Sequence, residues 1–384
     1  MRRALIATAV FLVGALGVAT VTWVGAAGST APPVPGVSVV HEPAVGATDV
    51  GPAAPATVSV AGGTLDAVAL TGPDGAAVEG APGDGGASWS TTADLAYDTT
   101  YTWSGTARGP DGRAVPVDGA FTTVAPADVV RGVLDIGDGR TVGIAAPIGI
   151  QFDAHVEDRA AVERALSVRT SVPVEGSWGW LPDENGGSRV HWRPAEYWPP
   201  YTQVTVTADL FGVAYGGGAY GRADVTSTFS IGRAQIVRAD VNSHRMLVFR
   251  DGEQVADYPA SYGLSGDPDR TTRSGIHVVT ERFTDKRMVS ERYGYDLVEK
   301  WAVRISNNGE FIHANPASSA AQGSSNVTHG CVNLSTADAR AYYDTALYGD
   351  PVEVTGTDVP LAERDGDIWD WTLSYDRWRG LSAL

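Results

Sequence analysis

The chain has 384 residues, with 28 Lys+Arg against 45 Asp+Glu for a formal net charge of -17, 43% hydrophobic and 19% charged residues, and a single cysteine. At roughly 150 residues per domain this predicts two or three domains, each able to bury a core, and the composition excludes a wholly disordered chain. The acidity speaks against nucleic acid as a partner, because phosphate recognition needs basic surface; one cysteine excludes an intramolecular disulfide and any multi-cysteine metal cluster.

At the N-terminus, Arg2 and Arg3 precede an uncharged, mostly apolar run over 4–27 that ends in small residues, with Val24-Gly25-Ala26 as a cleavage-type site. This reads as a secretory signal over 1–28, and its length also suits an uncleaved membrane anchor. Either way the rest of the chain is exported, to the outer face of the membrane or the cell wall, and meets the membrane only through this segment.

After a Pro- and Ala-rich spacer, strand-type runs fall at 37–40, 57–60, 68–70, 101–103 and 120–124, punctuated by Gly-Pro-Asp-Gly turns at 72–75 and 109–112. Short strands with Pro/Gly/Asp turns and no helical period predict an antiparallel sandwich over 34–125. The plan then repeats. Tyr97-x-x-x-Tyr101-Thr102 recurs as Tyr197-x-x-x-Tyr201-Thr202, and each is followed by a Phe-containing strand, at Phe121 and Phe229. Two tandem immunoglobulin-like β-sandwiches are expected, the second over 126–232, with the paired tyrosines as core and corner residues.

From 233 to 357 the texture is that of a β-rich third domain, with strands at 235–239, 245–250, 255–262, 275–280, 301–305 and 351–354. Asp251-Gly252 marks a hairpin. One main helix is expected at 337–347, capped by Ser335 or Thr336 and stopped by Gly349. The tail at 358–384 carries Trp369, Trp371 and Trp378, which are expected to staple it onto a neighbouring domain. The fold class is thus mostly β.

The cysteine stands in Thr328-His329-Gly330-Cys331-Val332-Asn333, just ahead of the expected helix, and fourteen residues separate Thr328 from His313 upstream. These residue types suit nucleophilic catalysis. A thiolate near a helix N-terminus is stabilised by free N–H groups, and an imidazole can take its proton and return it to a leaving amine. Gly330 allows close backbone approach, so N–H groups at Gly330 and Cys331 are candidates for an oxyanion hole.

The segment from His313 to Asn333 resembles the signature of the L,D-transpeptidases of the YkuD type: a His, a loop, then Ser/Thr-His-Gly-Cys-x-Asn. Tandem immunoglobulin-like domains and the Trp-rich tail resemble the actinobacterial, mycobacterial-type members. The resemblance implies Cys331 as nucleophile, His313 as general base oriented by the Ala314 carbonyl, and His329 as support for the thiolate. It implies Gly330 and Cys331 as oxyanion donors, Asn333, Ala314 and Thr328 as substrate-binding residues, and a flap over 288–301 bringing Tyr293 and Trp301 to the site. The implied partners are peptidoglycan stem peptides, a tetrapeptide donor and a meso-diaminopimelate acceptor, giving 3→3 cross-links; carbapenem β-lactams are the implied inhibitors, and no cofactor is called for. The chain departs from the pattern at Ala314, where relatives often have Ser, in the proline-free Thr271-Thr272-Arg273-Ser274-Gly275, and at Pro316-Ala317-Ser318, which lacks a Trp.

Two other readings compete. His313, His329 and Cys331 could serve as ligands of a zinc-dependent wall hydrolase, or the sandwiches could make the chain a non-catalytic wall-binding scaffold. The remaining histidines His155, His191, His244 and His277 are expected to be structural or exposed, Asn326-Val327-Thr328 a chance sequon, and the acidic run at 363–370 solvated surface.

Overall fold

A computed structural model describes residues 36–363 and 368–384, so the signal or anchor segment and much of the acidic run lie outside the described residues. The first sandwich packs the sheet Ser38–Glu42, Thr57–Ala61, Ser88–Thr91, Gly80–Pro82 against one formed by Thr64–Thr71, Thr100–Arg108 and Ala114–Pro116, with Gly119–Thr122 also paired to the middle strand. Thr100–Arg108 turns Tyr101 and Trp103 inward and their neighbours outward, the period of two that one buried face demands, and both join Val58, Leu70 and Phe121 in the core.

The second sandwich sets Gly132–Leu134, Ile148–Phe152, Gly187–Pro194 and Gly176–Glu184 against Thr141–Val142, Val225–Ile231, Gln203–Ala208 and Leu166–Thr170. Its core is rich in aromatics, with Phe152, Trp180, Trp198 and Phe229 at the centre. A short helix, Arg159–Arg164, was not foreseen. Asp158 caps it by accepting from the Ala161 N–H at 2.9 Å.

The tyrosine repeat does something other than fill two cores. Tyr101 is buried and its hydroxyl accepts from the Ala96 N–H at 2.8 Å, a corner role. Tyr201, its counterpart, is 65% exposed and donates instead to Asp251 of the third domain. The leading tyrosines both reach into the domain that follows: Tyr97 donates to Gly221 O at 2.7 Å, and Tyr197 to Glu353 at 3.2 Å.

The third domain contains a five-stranded sheet in the order Glu253–Pro259, Arg245–Arg250, Gln235–Asp240, Pro351–Thr355, Gly275–Val278. A four-stranded sheet follows: the long hairpin Glu281–Ser290 and Tyr295–Arg304, then Phe311–Ala314, then Val332–Leu334. The helix Thr336–Tyr343 buries Ala339 and Tyr342 in the core shared by both sheets. Ser335 caps it, accepting from Asp338 N–H at 3.1 Å. It ends earlier than expected because Asp350 takes the Leu347 N–H at 2.9 Å and Arg233 takes the Thr345 carbonyl at 2.6 Å, pulling the chain out of helical register. Arg233 also grips Asp350 with both guanidinium nitrogens, at 2.7 and 2.6 Å, which ties the first residue of the third domain to the start of its strand Pro351–Thr355.

The tail lies on the second sandwich. Trp369, Leu373 and Trp378 cluster with Leu181, Trp378 donates to Ser177 O, and Trp371 donates to Ala145 O, both at 2.9 Å. Asp370, expected on solvated surface, is buried against His191 at 2.9 Å. Among the described residues no helix is long and apolar enough to cross a membrane.

Candidate active site

His313 is the penultimate residue of the strand Phe311–Ala314, whose four residues are all buried, so the apolar run carries the histidine into the domain interior. That strand pairs in parallel with Val332–Leu334 in the register Ile312↔Val332 and His313↔Asn333. Cys331 therefore stands at the head of the neighbouring strand, on the same face as Asn333 and His313. Four residues, 332–335, separate Cys331 from Thr336, the first residue of the helix, and the influence of a helix dipole fades within a turn, so the expected stabilisation from the helix N-terminus gives way to that of the histidine.

The imidazole is held from behind. His313 Nδ1 donates to Ala314 O at 2.9 Å, which leaves Nε2 for the cysteine. Glu299 Oε2, from the hairpin strand Tyr295–Arg304, lies 3.7 Å from the same Nδ1. Burial works against the imidazolium, but the interactions with Cys331 and with the nearby Glu299 carboxylate outweigh it, and His313 is pushed up to about 10. The side chain is thus an acid-base group whose charged form is stabilised by its neighbours, beside a nucleophile.

A web of hydrogen bonds shapes the turn bearing Cys331. Gly330 has φ +117, in the range open to glycine. Its carbonyl accepts from Thr272 Oγ1 at 2.8 Å, so across the trans peptide the Cys331 N–H points the opposite way. The Cys331 carbonyl accepts from Thr328 Oγ1 at 3.1 Å and Asn333 Nδ2 at 2.8 Å. Asn333 also donates to Ser261 O at 3.2 Å and accepts from Asn315 at 2.9 Å. Thr328 and Asn333, expected as substrate-binding residues, both line the cavity at Cys331, and through these bonds they also hold the nucleophile's turn. Cys331 Sγ lies 3.5 Å from Gly309 O, on the other side of the turn.

The group opens into a cavity of about 490 Å³ lined by Met288, Tyr293, Leu297, Glu299, His313 and Cys331 among others, a size suited to a small-molecule or peptide segment. Tyr293, at the hairpin tip, has its hydroxyl buried with no partner in the protein. His329 lines the cavity too, but its ring packs on Tyr293 and Tyr295 at 4.4 and 5.4 Å. Burial, followed by the charge of Arg270, lowers its pKa, which works against a cationic role beside the thiolate.

Trp301 is a correction. It is the one flap position of the sequence reading that turns away from the cavity lining: its ring packs edge-on against Tyr343 at 5.3 Å, with the Arg340 guanidinium 5.1 Å above it. The backbone shows why, because Trp301 has φ 56, and this left-handed residue breaks the alternation that would otherwise have continued from Tyr295, Leu297 and Glu299. Among the described residues no group of three or more His, Cys, Asp or Glu side chains is disposed to hold a metal ion, so the zinc alternative has no ligand set. Asn326 of the sequon accepts from Tyr262 N–H and donates to Val241 O, tying down the loop.

Sequence reasoning missed Glu299 and Thr272. The signal for Glu299 was a carboxylate in an inward position of a period-two strand; Thr272 lay in a loop noted only for its missing proline.

The comparisons agree with this geometry. The bacterial Ig domain family matches residues 47–214, and the L,D-transpeptidase catalytic domain family matches 234–354. L,D-transpeptidase 5 of Mycobacterium tuberculosis (strain ATCC 25618 / H37Rv) is 54% identical over 353 residues, 92% of this chain and 78% of that protein. L,D-transpeptidase 2 of Mycobacterium tuberculosis (strain CDC 1551 / Oshkosh) is 36% identical over 346 residues, 88% of this chain and 83% of that protein. The solved structure of the LD transpeptidase LdtMt1 in complex with imipenem is 33% identical with a TM-score of 0.50, covering 60% of this chain and all of that one. With a catalytic pair assembled and relatives matched along almost its whole length, the chain is an acyltransferase and belongs to the L,D-transpeptidase family.

Proposed function

We propose that the enzyme joins peptidoglycan stem peptides by 3→3 cross-links through a thioester on Cys331. The observation that carries this reading is the His313–Cys331 pair opening into one cavity. Sγ attacks the carbonyl carbon after the third residue of a tetrapeptide stem with the thiol proton held on His313, whose charged form its neighbours stabilise. The Cys331 N–H, oriented by the Thr272 bond to Gly330 O, is a donor to the resulting oxyanion. As the C–N bond breaks, His313 returns the proton to the amine of the departing D-Ala. The side-chain amine of a meso-diaminopimelate residue on a second stem then attacks the thioester and gives up a proton to His313, and the new amide forms as the thiolate leaves. Tyr293, with its unpartnered hydroxyl, is placed to contact the donor stem. A carbapenem would acylate Cys331 through its strained lactam carbonyl, in keeping with the relative solved in complex with imipenem.

The chain is exported through its N-terminal segment, and the two sandwiches form a stalk carrying the active site into the wall. Inter-domain bonds from Tyr97, Tyr197 and Tyr201 support a stalk of limited flexibility. Mass spectrometry of muropeptide dimers made by the purified enzyme tests the chemistry. Wild type should yield 3→3 dimers and free D-Ala, Cys331→Ala neither, and a carbapenem mass increase should map to Cys331. Dimers made by Cys331→Ala would sink the reading. Unchanged cross-linking in cells lacking the sandwiches would remove the stalk.

A further inference from the structure

We infer that Glu299 is a positioning residue for His313, carried to it by the hairpin that roofs the cavity, so that the acid-base group is fully set only when this hairpin is seated. The inference rests on the His313–Cys331 pair proposed above.

Three observations support it. First, the Glu299 and His313 side chains are only 12% and 4% exposed, and the carboxylate stands 3.7 Å from Nδ1. A carboxylate withdrawn from water needs a cationic or hydrogen-bonding partner, and among the described residues its ion-pair partner is His313. Second, the hairpin aims it. Tyr295, Leu297 and Glu299 face the cavity, while the intervening Val298 is 62% exposed. Third, the hairpin is held at both ends. Arg292 at its tip pairs with Asp269 at 2.6 Å and Tyr293 lies on His329, while Trp301 at its base is wedged on Tyr343 and Arg340. A bulky residue at φ 56 persists only where its surroundings over-determine it, and here that strain lies two residues from Glu299. Hairpin position and the charge behind the imidazole are therefore linked in one strand.

The titratable and charged groups facing His313 are Cys331 from the nucleophile's turn and Glu299 and Tyr295 from the hairpin, with His329 and Tyr293 across the cavity. Removing the carboxylate weakens the hold on the imidazolium. His313 then loses its proton at lower pH, and the alkaline arm of the rate, where the leaving D-Ala amine needs that proton, moves down.

The test is Glu299→Gln in the full chain, read by two pH profiles: D-Ala release from a disaccharide-tetrapeptide, and alkylation of Cys331 by iodoacetamide followed by mass. The expected result is an alkaline limb of D-Ala release displaced downward by roughly 1–3 pH units, the range in which an opposite charge within about 4–6 Å moves a pKa. At neutral pH kcat falls with KM nearly unchanged, and alkylation slows. Val298→Ala, on the outer face of the same strand, leaves both profiles as they are. Should Glu299→Gln fail to fold, Glu299→Asp, which keeps the charge but shortens its reach, gives a smaller displacement. A wild-type profile, a uniform loss at every pH, or a rise in KM alone would overturn the inference. Alkylation needs no natural donor, so a displaced alkylation profile with no D-Ala release would fault the proposed reaction and leave Glu299 in place.

Discussion

Trp378→Ala is expected to release the tail from the second sandwich without disturbing the catalytic pair. Trp378 is 0% exposed, packs with Leu181, Trp369 and Leu373, and lies beneath the Arg193 guanidinium at 5.4 Å. Its ring occupies the space over Gly179, where even a methyl group would come within 2.8 Å of it. Truncating a buried Trp to Ala costs about 3–5 kcal/mol. The loss of the 2.9 Å bond to Ser177 O, which leaves that carbonyl without its donor, places the site in the upper part of that range, near ~4 kcal/mol. At 1.4 kcal/mol per tenfold, the docking equilibrium of the tail should weaken by about a thousandfold. Hydrogen exchange of the amides of the C-terminal helix Tyr375–Arg379 would rise accordingly, and trypsin would cut at Arg377 and Arg379. Alkylation of Cys331 would stay within about twofold of wild type, because the strands beside His313 and Cys331 belong to a separate core. Gly179→Ala should act in the same direction through overpacking. If exchange and cleavage in the tail match wild type, the tryptophan does not anchor it and the packing argument fails.

His313→Ala should slow D-Ala release by about 10²–10⁴-fold, the usual weight of general acid-base catalysis; a loss under tenfold would mean another group moves the proton. Asn333→Ala removes three bonds that hold the nucleophile's turn, so kcat should drop with KM nearly constant and the protein should lose about 1–3 kcal/mol of stability by denaturant titration; a change confined to KM would return Asn333 to substrate binding. The tail should also respond to pH. Burial opposes the charge on His191, but Asp370, then Asp135, outweigh it and raise its pKa, with Arg189 working against them. A raised value means that the stabilisation is fully present below the ordinary imidazole value of about 6.5 and is lost as pH rises through the higher folded-state value. Tail exchange should therefore increase on the alkaline side, and His191→Gln should abolish that dependence; an increase on the acid side would contradict the sign.

What the sequence made legible was what short-range chemistry dictates. Thr328-His329-Gly330-Cys331 and His313 carry their pattern in a few adjacent residues, and period-two strands such as Thr100–Arg108 announce which face is buried. Mostly β architecture and the catalytic pair follow from those signals alone. The illegible parts depend on pairings across long stretches of chain. His191 and Asp370 are 179 residues apart, and neither the histidine nor an acidic run hints that they bury each other. The helix stop at Tyr343 comes ahead of Gly349 and goes with the bonds from Arg233 and to Asp350, a pairing of residues 117 apart in the chain. Tyr97 and Tyr197 were visible as a repeat, but a repeat says only that two places share a local form. That each hydroxyl crosses to the next domain is a property of how the domains stack.

Trp301 shows most clearly where pattern reading stops. Alternation along Tyr295, Leu297 and Glu299 predicts a fourth side chain facing the cavity, and the resemblance pointed the same way. One residue at φ 56 reverses it, and the ring packs instead on Tyr343 and Arg340 of the helix. The consequence reaches the chemistry. With Trp301 turned away as an anchor, Glu299 becomes the last residue of the strand to line the cavity, and a carboxylate, not an indole, meets the back of His313. The same kink that removes an expected substrate contact thus delivers an unexpected charge to the general base. Trp301→Ala should therefore mimic part of Glu299→Gln, displacing the alkaline limb through loss of hairpin position. If it changes only KM, the ring is a substrate contact after all.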